Sequence, residues 1–363
     1  MEKAIKNTLK IERHPKSSDK SLKAWSAADE LLIQEAASLE PKSLAIYHDT
    51  FGYLSCFLSE YQPNTITTLY SQQEAILKNL TRNHISADKI SIKNPLENLD
   101  TTIDLALMKI PKSVDLFEVY LNQIHQNADI NTVVYCGFMT RNFSSQALKI
   151  AEKYFMDVSQ SKAYKKARIL ILKGVKAKET NTLTHDIQLS EKISLKQYFG
   201  VFSAHHIDYA SQFLMQSMEI DKNELKILDI GCGNGVLAYH ARQLSPSAEL
   251  YLTDDSYLAM ASAKLNIADS SFTHFYCSNH LKNIEKESIH LAISNPPFHF
   301  EYENNIDITL GLFNEIHECL MENGRFLMVA NKHLNYATHL KKIFYQVKEL
   351  NSNEKFVVYE CIK

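Results

Sequence analysis

No apolar run in the 363 residues approaches the roughly 20 needed to span a bilayer. The first ten residues are charged and lack a signal-type hydrophobic segment, so export is not expected. Cysteine is present without organisation: positions 56, 136, 232, 277, 319 and 361 show no paired spacing of the kind that zinc or redox chemistry uses. These read as reduced thiols of a cytoplasmic protein, with no metal expected. Basic charge is not in general excess either. With a net charge of -3, any nucleic-acid partner has to be held by local patches.

What is present is enough chain for two domains, with 45% hydrophobic residues to fill two cores. Strand patterns at 43–47, 103–108, 133–136 and 169–172 alternate with helical ones at 70–84 and 147–155. After a polar, glycine-poor stretch the scheme returns. Strands are expected at 226–230, 249–253, 275–277, 289–293, 325–329 and 356–362, and helices at 236–244, 257–266, 308–320 and 336–344. Such alternation marks a parallel sheet covered on both faces, so the fold class is α/β with two tandem Rossmann-like domains.

The halves read as copies of one unit. Leu44, Tyr47, Gly52, Leu54, Pro63 and Asn83 stand opposite Ile227, Ile230, Gly235, Leu237, Pro246 and Asn266, each displaced by 183 positions. The run 103–107 faces 289–293 at a displacement of 186. Polar positions are not kept: opposite Asp229, Gly231 and Gly233 stand Ile46, His48 and Thr50, opposite Asp254 stands Ser71, and opposite Asn295 and Pro296 stand Lys109 and Ile110. A copy that keeps its core and loses its site can bind or brace. Any two alternating α/β halves also align to some degree.

Chemistry concentrates in two stretches of the second half. The run 289–293 is halted by Ser294-Asn295-Pro296-Pro297-Phe298-His299, because two prolines forbid further ladder bonds. Open α/β sheets bind ligands just beyond the carboxyl ends of their strands. There the Asn295 carboxamide oxygen and the Pro296 carbonyl can both accept from one planar amino group, while Phe298 offers a face for a stacked base. Such a site alkylates an amine without a strong base. Asparagine and proline are also ordinary turn residues, and alone the stretch reads equally well as a loop.

The second stretch is Asp229-Ile230-Gly231-Cys232-Gly233-Asn234-Gly235, between a strand and a helix. Its glycines fall at every second position, unlike the longer last step of a pyrophosphate motif, and Asp229 would repel phosphate but can pair with an ammonium. Asp254, followed by Asp255, closes the next strand, where a carboxylate can accept both hydroxyls of a ribose. Asn279 can read an adenine edge. Together these describe a pocket for a nucleoside that carries an amino acid and no phosphate, namely S-adenosylmethionine. Singly, each is also a common loop glycine, helix cap or turn asparagine.

Two basic runs complete the inventory. One lies between Met1 and Lys23; the other, from Ser161 to Lys178, holds seven basic residues and no acidic one. The first reads as a solvated face, the second as a place for RNA, through Lys162, Lys165, Lys166 and Arg168.

These residues, with Gly200-Val201-Phe202-Ser203 and the downstream Val329-Ala330-Asn331-Lys332-His333-Leu334, resemble the ribosomal RNA guanine-N2 methyltransferases, most closely the branch acting on 23S RNA. The resemblance is strong from about residue 200 onward and weaker before it. It implies a catalytic domain at 199–363, a linker at 176–198, a degenerate methyltransferase-like domain at 25–175 that does not bind the methyl donor, and a basic extension at 1–24. It further implies Asn295, Pro296, Pro297 and Phe298 as catalytic residues, with S-adenosylmethionine held by Asp229, Gly231, Cys232, Gly233, Asn234, Asp254, Asp255, Asn279 and Phe202. The expected partner is large-subunit ribosomal RNA, and a monomer is expected. Two departures stand out: Ala204 replaces the arginine usual after Phe-Ser, and Asp208-Tyr209-Ala210 replaces the usual Asp-Val/Ile-Gly. Methylation of 16S RNA or of a protein glutamine amide, an idle RNA-binding assembly factor, and a nicotinamide enzyme are the other readings of the same residues.

Overall fold

The computed structural model describes residues 9–16, 19, 21–37, 39–179, 181–204, 206–296 and 306–363, the last with side chains from 309. Between Leu183 and Thr184 the chain divides into two compact units. The first runs α1 (Ala27–Ala36), β1 (Leu44–Tyr47), α2 (Tyr53–Phe57), β2 (Asn64–Ile66), α3 (Tyr70–Arg82), β3 (Ser91–Lys93) and β4 (Ile103–Lys109). It continues with α4 (Val114–Asn127), β5 (Ala128–Met139), α5 (Ser145–Tyr154), β6 (Phe155–Gln160) and β7 (Ala167–Val175). The second opens on a hairpin, β8 (Thr184–Ser190) and β9 (Ile193–Tyr198), followed by α6 (Tyr209–Gln216), β10 (Lys226–Ile230), α7 (Val236–Leu244), β11 (Glu249–Asp254) and α8 (Tyr257–Asn266). Then come β12 (Thr273–Cys277), β13 (Ile289–Ser294), α9 (Ile306–Cys319), β14 (Leu320–Asn331), α10 (Ala337–Leu340), β15 (Gln346–Ser352) and β16 (Phe356–Ile362).

The two main sheets have one strand permutation. The first reads β3-β2-β1-β4-β5-β7-β6 and the second β12-β11-β10-β13-β14-β16-β15. Both are mixed rather than wholly parallel, because β7 and β16 run antiparallel to both of their neighbours. Identical topology supports the duplication read from the sequence and corrects one detail of it. Tyr47 pairs with Ile66 as Ile230 pairs with Thr253, so Thr67, not Ser71, stands opposite Asp254.

Alternate residues of the central strands enter different cores. Ile227, Leu291 and Ile293 pack on one face of the second sheet, and Leu228, Ile230, Ile289 and Ala292 on the other. Leu44 and Ile46 likewise oppose Ala45 and Tyr47 in the first. A sheet buried on both faces reads as a continuous apolar run, as these strands do.

Two expected segments come out differently. Residues 184–198, placed in a linker, form the β8–β9 hairpin, because Ile187 and Leu195 are buried in the second unit's core. The helix expected at 336–344 shrinks to Ala337–Leu340, since the chain must turn at once to begin β15, and Lys341, Lys342 and Tyr345 are left exposed. Among the described residues no helix is long and apolar enough to cross a membrane, and no group of three His, Cys, Asp or Glu side chains could hold a metal ion.

The turn after the first core strand is the same in both units. Gly52 (φ 83°) and Gly235 (φ 82°) precede α2 and α7 in the left-handed region, and His48 (φ 57°) repeats the twist of Gly231 (φ 67°). A Cβ at Gly52 would lie 3.1 Å from Ile76 Cα, and one at Gly235 would lie 3.3 Å from Ala263 Cα. Gly52→Ala and Gly235→Ala should therefore each destabilise their own unit by about 1–2 kcal/mol, read as a lower denaturant midpoint at unchanged slope.

Candidate active site

The two stretches singled out in the sequence are neighbours in the sheet. Asp229 and Ile293 are register partners of parallel β10 and β13, as are Ile230 and Ser294. Ser294 Oγ then donates to Ile230 O at 2.7 Å, tying the strand ends together. Because β10 to β13 are parallel, the glycine turn, Asp254, Asn279 and Asn295 all lie at one edge, the carboxyl edge of the sheet.

The glycine turn is braced from β11. Gly231 N and Cys232 N both donate to Thr253 O, at 2.8 and 3.0 Å. Asp254 Oδ2 accepts from Gly233 N at 2.9 Å, and its Oδ1 accepts from Ser256 N at 2.8 Å. Each oxygen keeps a second lone pair for a hydroxyl. Ser278 N donates to Asp254 O at 2.8 Å, which brings exposed Asn279 alongside. Asp255 follows at the rim, half-buried.

Asp229 is 1% exposed. Its Oδ2 accepts from Ala238 N in the first turn of α7 at 3.0 Å, whereas Oδ1 is buried with no partner among the described residues. Burial pushes this carboxyl up to about 7 against the opposing pull of the Ala238 N–H, and pushes Asp254 up to about 6 against the amides of Ser256 and Gly233. A carboxylate oxygen without a donor, beneath a turn where a Cβ at Gly233 would meet nothing within 4 Å, is the environment a cationic amino acid ligand completes. These residues fit a nucleoside that carries an amino acid.

Two of the expected donor-site side chains serve the fold instead. Cys232 packs into the core, and burial raises its thiol. Asn234 accepts from Val236 N at 3.2 Å and donates to Gln197 Oε1 at 2.9 Å. Gln197, 1% exposed, sits in the segment expected as a linker and went unnoticed in the sequence. Its Nε2 reaches the carbonyls of Val201, Phe202 and Ser203 at 3.4, 3.2 and 3.4 Å, linking the glycine turn to the loop that displays Phe202, 75% exposed.

On the acceptor side, Asn295 is half-buried and Pro296 buried; Pro297 and Phe298 lie outside the described residues. Asn295 Nδ2 donates to Asp208 Oδ2 at 2.9 Å and to Ser211 Oγ at 3.0 Å. Those partners begin α6, where Asp208 Oδ2 also caps Ala210 N and Ser211 N.

In the first unit the equivalent edge has other side chains. Lys109 occupies the Asn295 position and pairs with buried Asp29 at 3.4 Å. The amide of Ser55, opposite Ala238, is capped by Asp49 Oδ2 at 2.8 Å rather than from the position of Asp229. His48, where the second unit has glycine, is held neutral by burial, which lowers its pKa to about 3. Elsewhere in this unit, Lys165 (φ 46°) and Lys166 (φ 64°) form a tight turn closed by Ala167 N to Tyr164 O at 2.7 Å. Both lysines are exposed, as is Lys162, while Lys165 Nζ pairs with Glu30 at 3.3 Å and Arg168 reaches Gln160 at 3.3 Å.

Comparison with known proteins agrees with this division. Residues 2–179 match the model of the RLMG N-terminal domain, and residues 192–360 that of the methyltransferase small domain. The chain is 32% identical to the ribosomal RNA large subunit methyltransferase G of Yersinia enterocolitica, over 98% of this chain and 92% of that protein. The protein of the same name from Yersinia pestis (strain Pestoides F) is 31% identical over the same shares. Among solved structures, the T. thermophilus 16S rRNA N2 G1207 methyltransferase, in complex with AdoMet and guanosine, has the same fold across 98% of each chain, with a TM-score of 0.76 at 18% identity. The chain therefore belongs to the ribosomal RNA large subunit methyltransferase G family.

Proposed function

We propose that this protein methylates the exocyclic N2 of a guanine in large-subunit ribosomal RNA, using S-adenosylmethionine, and does so as a cytoplasmic monomer. The observation that carries the reading is the pairing of Asp229 with Ile293, which sets a cation-accepting turn beside an amine-accepting strand end. The relatives' shared name supports ribosomal RNA of the large subunit as substrate.

S-adenosylmethionine, when bound, supplies an electrophilic methyl group on a sulfonium. Asp229 and the backbone at Gly231 and Gly233 would hold its amino acid end, Asp254 and Asp255 its ribose, and Asn279 its adenine. Phe202 would close over the pocket. Asn295 Oδ1 and Pro296 O would accept from the guanine amino group and fix its plane, with Pro297 and Phe298 next in the chain to support the base. Alignment and exclusion of water then do most of the catalysis.

The first unit, residues 25–175, would bind and brace RNA rather than react. Its turn at Lys165 and Lys166 supports this. Two non-glycine residues at positive φ suit the sharp hairpin turn that Asn-Gly makes without strain, and here the places are held by lysines. Strain kept for the sake of charge points to a polyanion.

Five outcomes test the reading. Asn295→Ala should lower single-turnover methyl transfer to 23S RNA by about 100-fold or more while calorimetric S-adenosylmethionine affinity stays within about twofold. Donor affinity should rise with pH from 5 to about 7 and then level, because ionised Asp229 binds a cation and its proton must leave first. Asp229→Asn should abolish the part of that rise between about 6 and 7, leaving the part due to Asp254. Replacing Lys165 with Asn together with Lys166 with Gly should stabilise the first unit by about 1 kcal/mol. The same double variant should weaken RNA binding and flatten its salt dependence by about two counterions, measured by filter binding across a salt series.

A further inference from the structure

The Asn295 carboxamide has two hydrogens on nitrogen, and both are committed. One goes to Asp208 Oδ2 and the other to Ser211 Oγ, at 2.9 and 3.0 Å. Asp208 is a carboxylate, which only accepts, so the amide has one favourable orientation. Turned over, it would set carbonyl oxygen against carboxylate. A ligand therefore meets Asn295 through Oδ1 alone, as an acceptor. An amino group to be methylated needs that, since an NH2 facing an NH2 repels.

The first unit holds a related tie at the same helix start. There α1 starts with Ser26 at its N-cap and Asp29 three residues on, Ser26 N donates to Asp29 Oδ2 at 2.7 Å, and Lys109 Nζ lies 3.4 Å from the same oxygen. In the second unit α6 starts with Asp208 at its N-cap and Ser211 three residues on. The serine and the aspartate stand in opposite order in the two units, and in both the residue at the end of the fourth core strand donates to the aspartate. Lysine offers only hydrogens. Asparagine at this position satisfies the same helix start with its nitrogen and keeps an oxygen for a substrate.

We propose, resting on the methyl-transfer reading above, that Asp208 and Ser211 are positioning residues that lock the flip state of Asn295 and so make its Oδ1 the acceptor for the reacting amine. Neither touches the substrate. The negative charge of Asp208 also draws the amide hydrogens and leaves Oδ1 the better acceptor.

The test uses the full chain, S-adenosylmethionine and 23S RNA lacking the modification. Wild-type protein is assayed first: if it leaves N2 of guanine unmethylated, the parent reading fails, and this inference with it. Given an active wild type, Asp208→Ala should lower kcat by about 10- to 100-fold, with the KM for RNA and the calorimetric affinity for S-adenosylmethionine within about twofold. Asp208→Asn, which still caps α6 and still offers a carbonyl to Asn295, should return to within about fivefold of wild type. Ser211→Ala leaves the cap in place and should cost about three- to tenfold in kcat. If Asp208→Ala does not fold, the other two variants decide. Unchanged kcat in Ser211→Ala and Asp208→Ala, a loss matched by an equal loss of donor affinity, or an Asp208→Asn variant as slow as a folded Asp208→Ala would each overturn the proposal.

Discussion

Everything in the second unit depends on the parallel register that aligns β10 with its neighbours β11 and β13. Parallel strands end on one edge, so side chains that follow different strands, far apart in the sequence, arrive together. Ser294 Oγ fastens two of those ends, and the Thr253 carbonyl gathers two amides of the glycine turn. Much of the site's polar atoms thus hold one another before any ligand arrives. That preorganisation is what a reaction driven by alignment requires.

The same frame occurs twice in the chain with different side chains at the edge. Some contacts persist because the fold needs them. Lys10 exchanges both backbone hydrogen bonds with the Asn83 side chain as Lys196 does with Asn266, so the stretch around Lys10 stands where β9 stands in the second unit. A carboxylate caps the first turn after the glycine in both units, although it comes from Asp49 in one and Asp229 in the other. An acidic residue near such a turn is therefore weak evidence for a donor site. The difference lies in the second oxygen: Asp49 Oδ2 takes both the amide and the Oγ of Ser55, whereas Asp229 is marked by an Oδ1 that is buried with no partner among the described residues.

Much of this was legible in the sequence. The apolar runs placed β10, α7, α8 and β16 to the residue, because buried elements carry dense hydrophobic pattern. β6 and β15 escaped notice since they are edge strands whose side chains are mostly exposed and polar. The β8–β9 hairpin passed for a linker because Ile187 and Leu195 are its only fully buried apolar residues, the third buried side chain being the polar Gln197. α1 announces itself by Ser26 and Asp29, a capping pair that could have been found. The roles of Asp208 and Gln197 could not: Asp208 is 87 positions from Asn295, Gln197 is 37 from Asn234, and no local pattern joins either pair.

Lys109 closes a door on the first unit. Every polar atom at its tip bears hydrogen, and its ammonium is part of the charge balance that lets Asp29 stay buried. Restoring glycine at residue 48 would reopen a turn but give no lone pair to greet a substrate. Exchanging the lysine alone would remove a countercharge from an interior acid. The fold thus holds Lys109 in place: its loss would leave Asp29 buried without that countercharge, and its presence leaves this strand end without a side-chain acceptor.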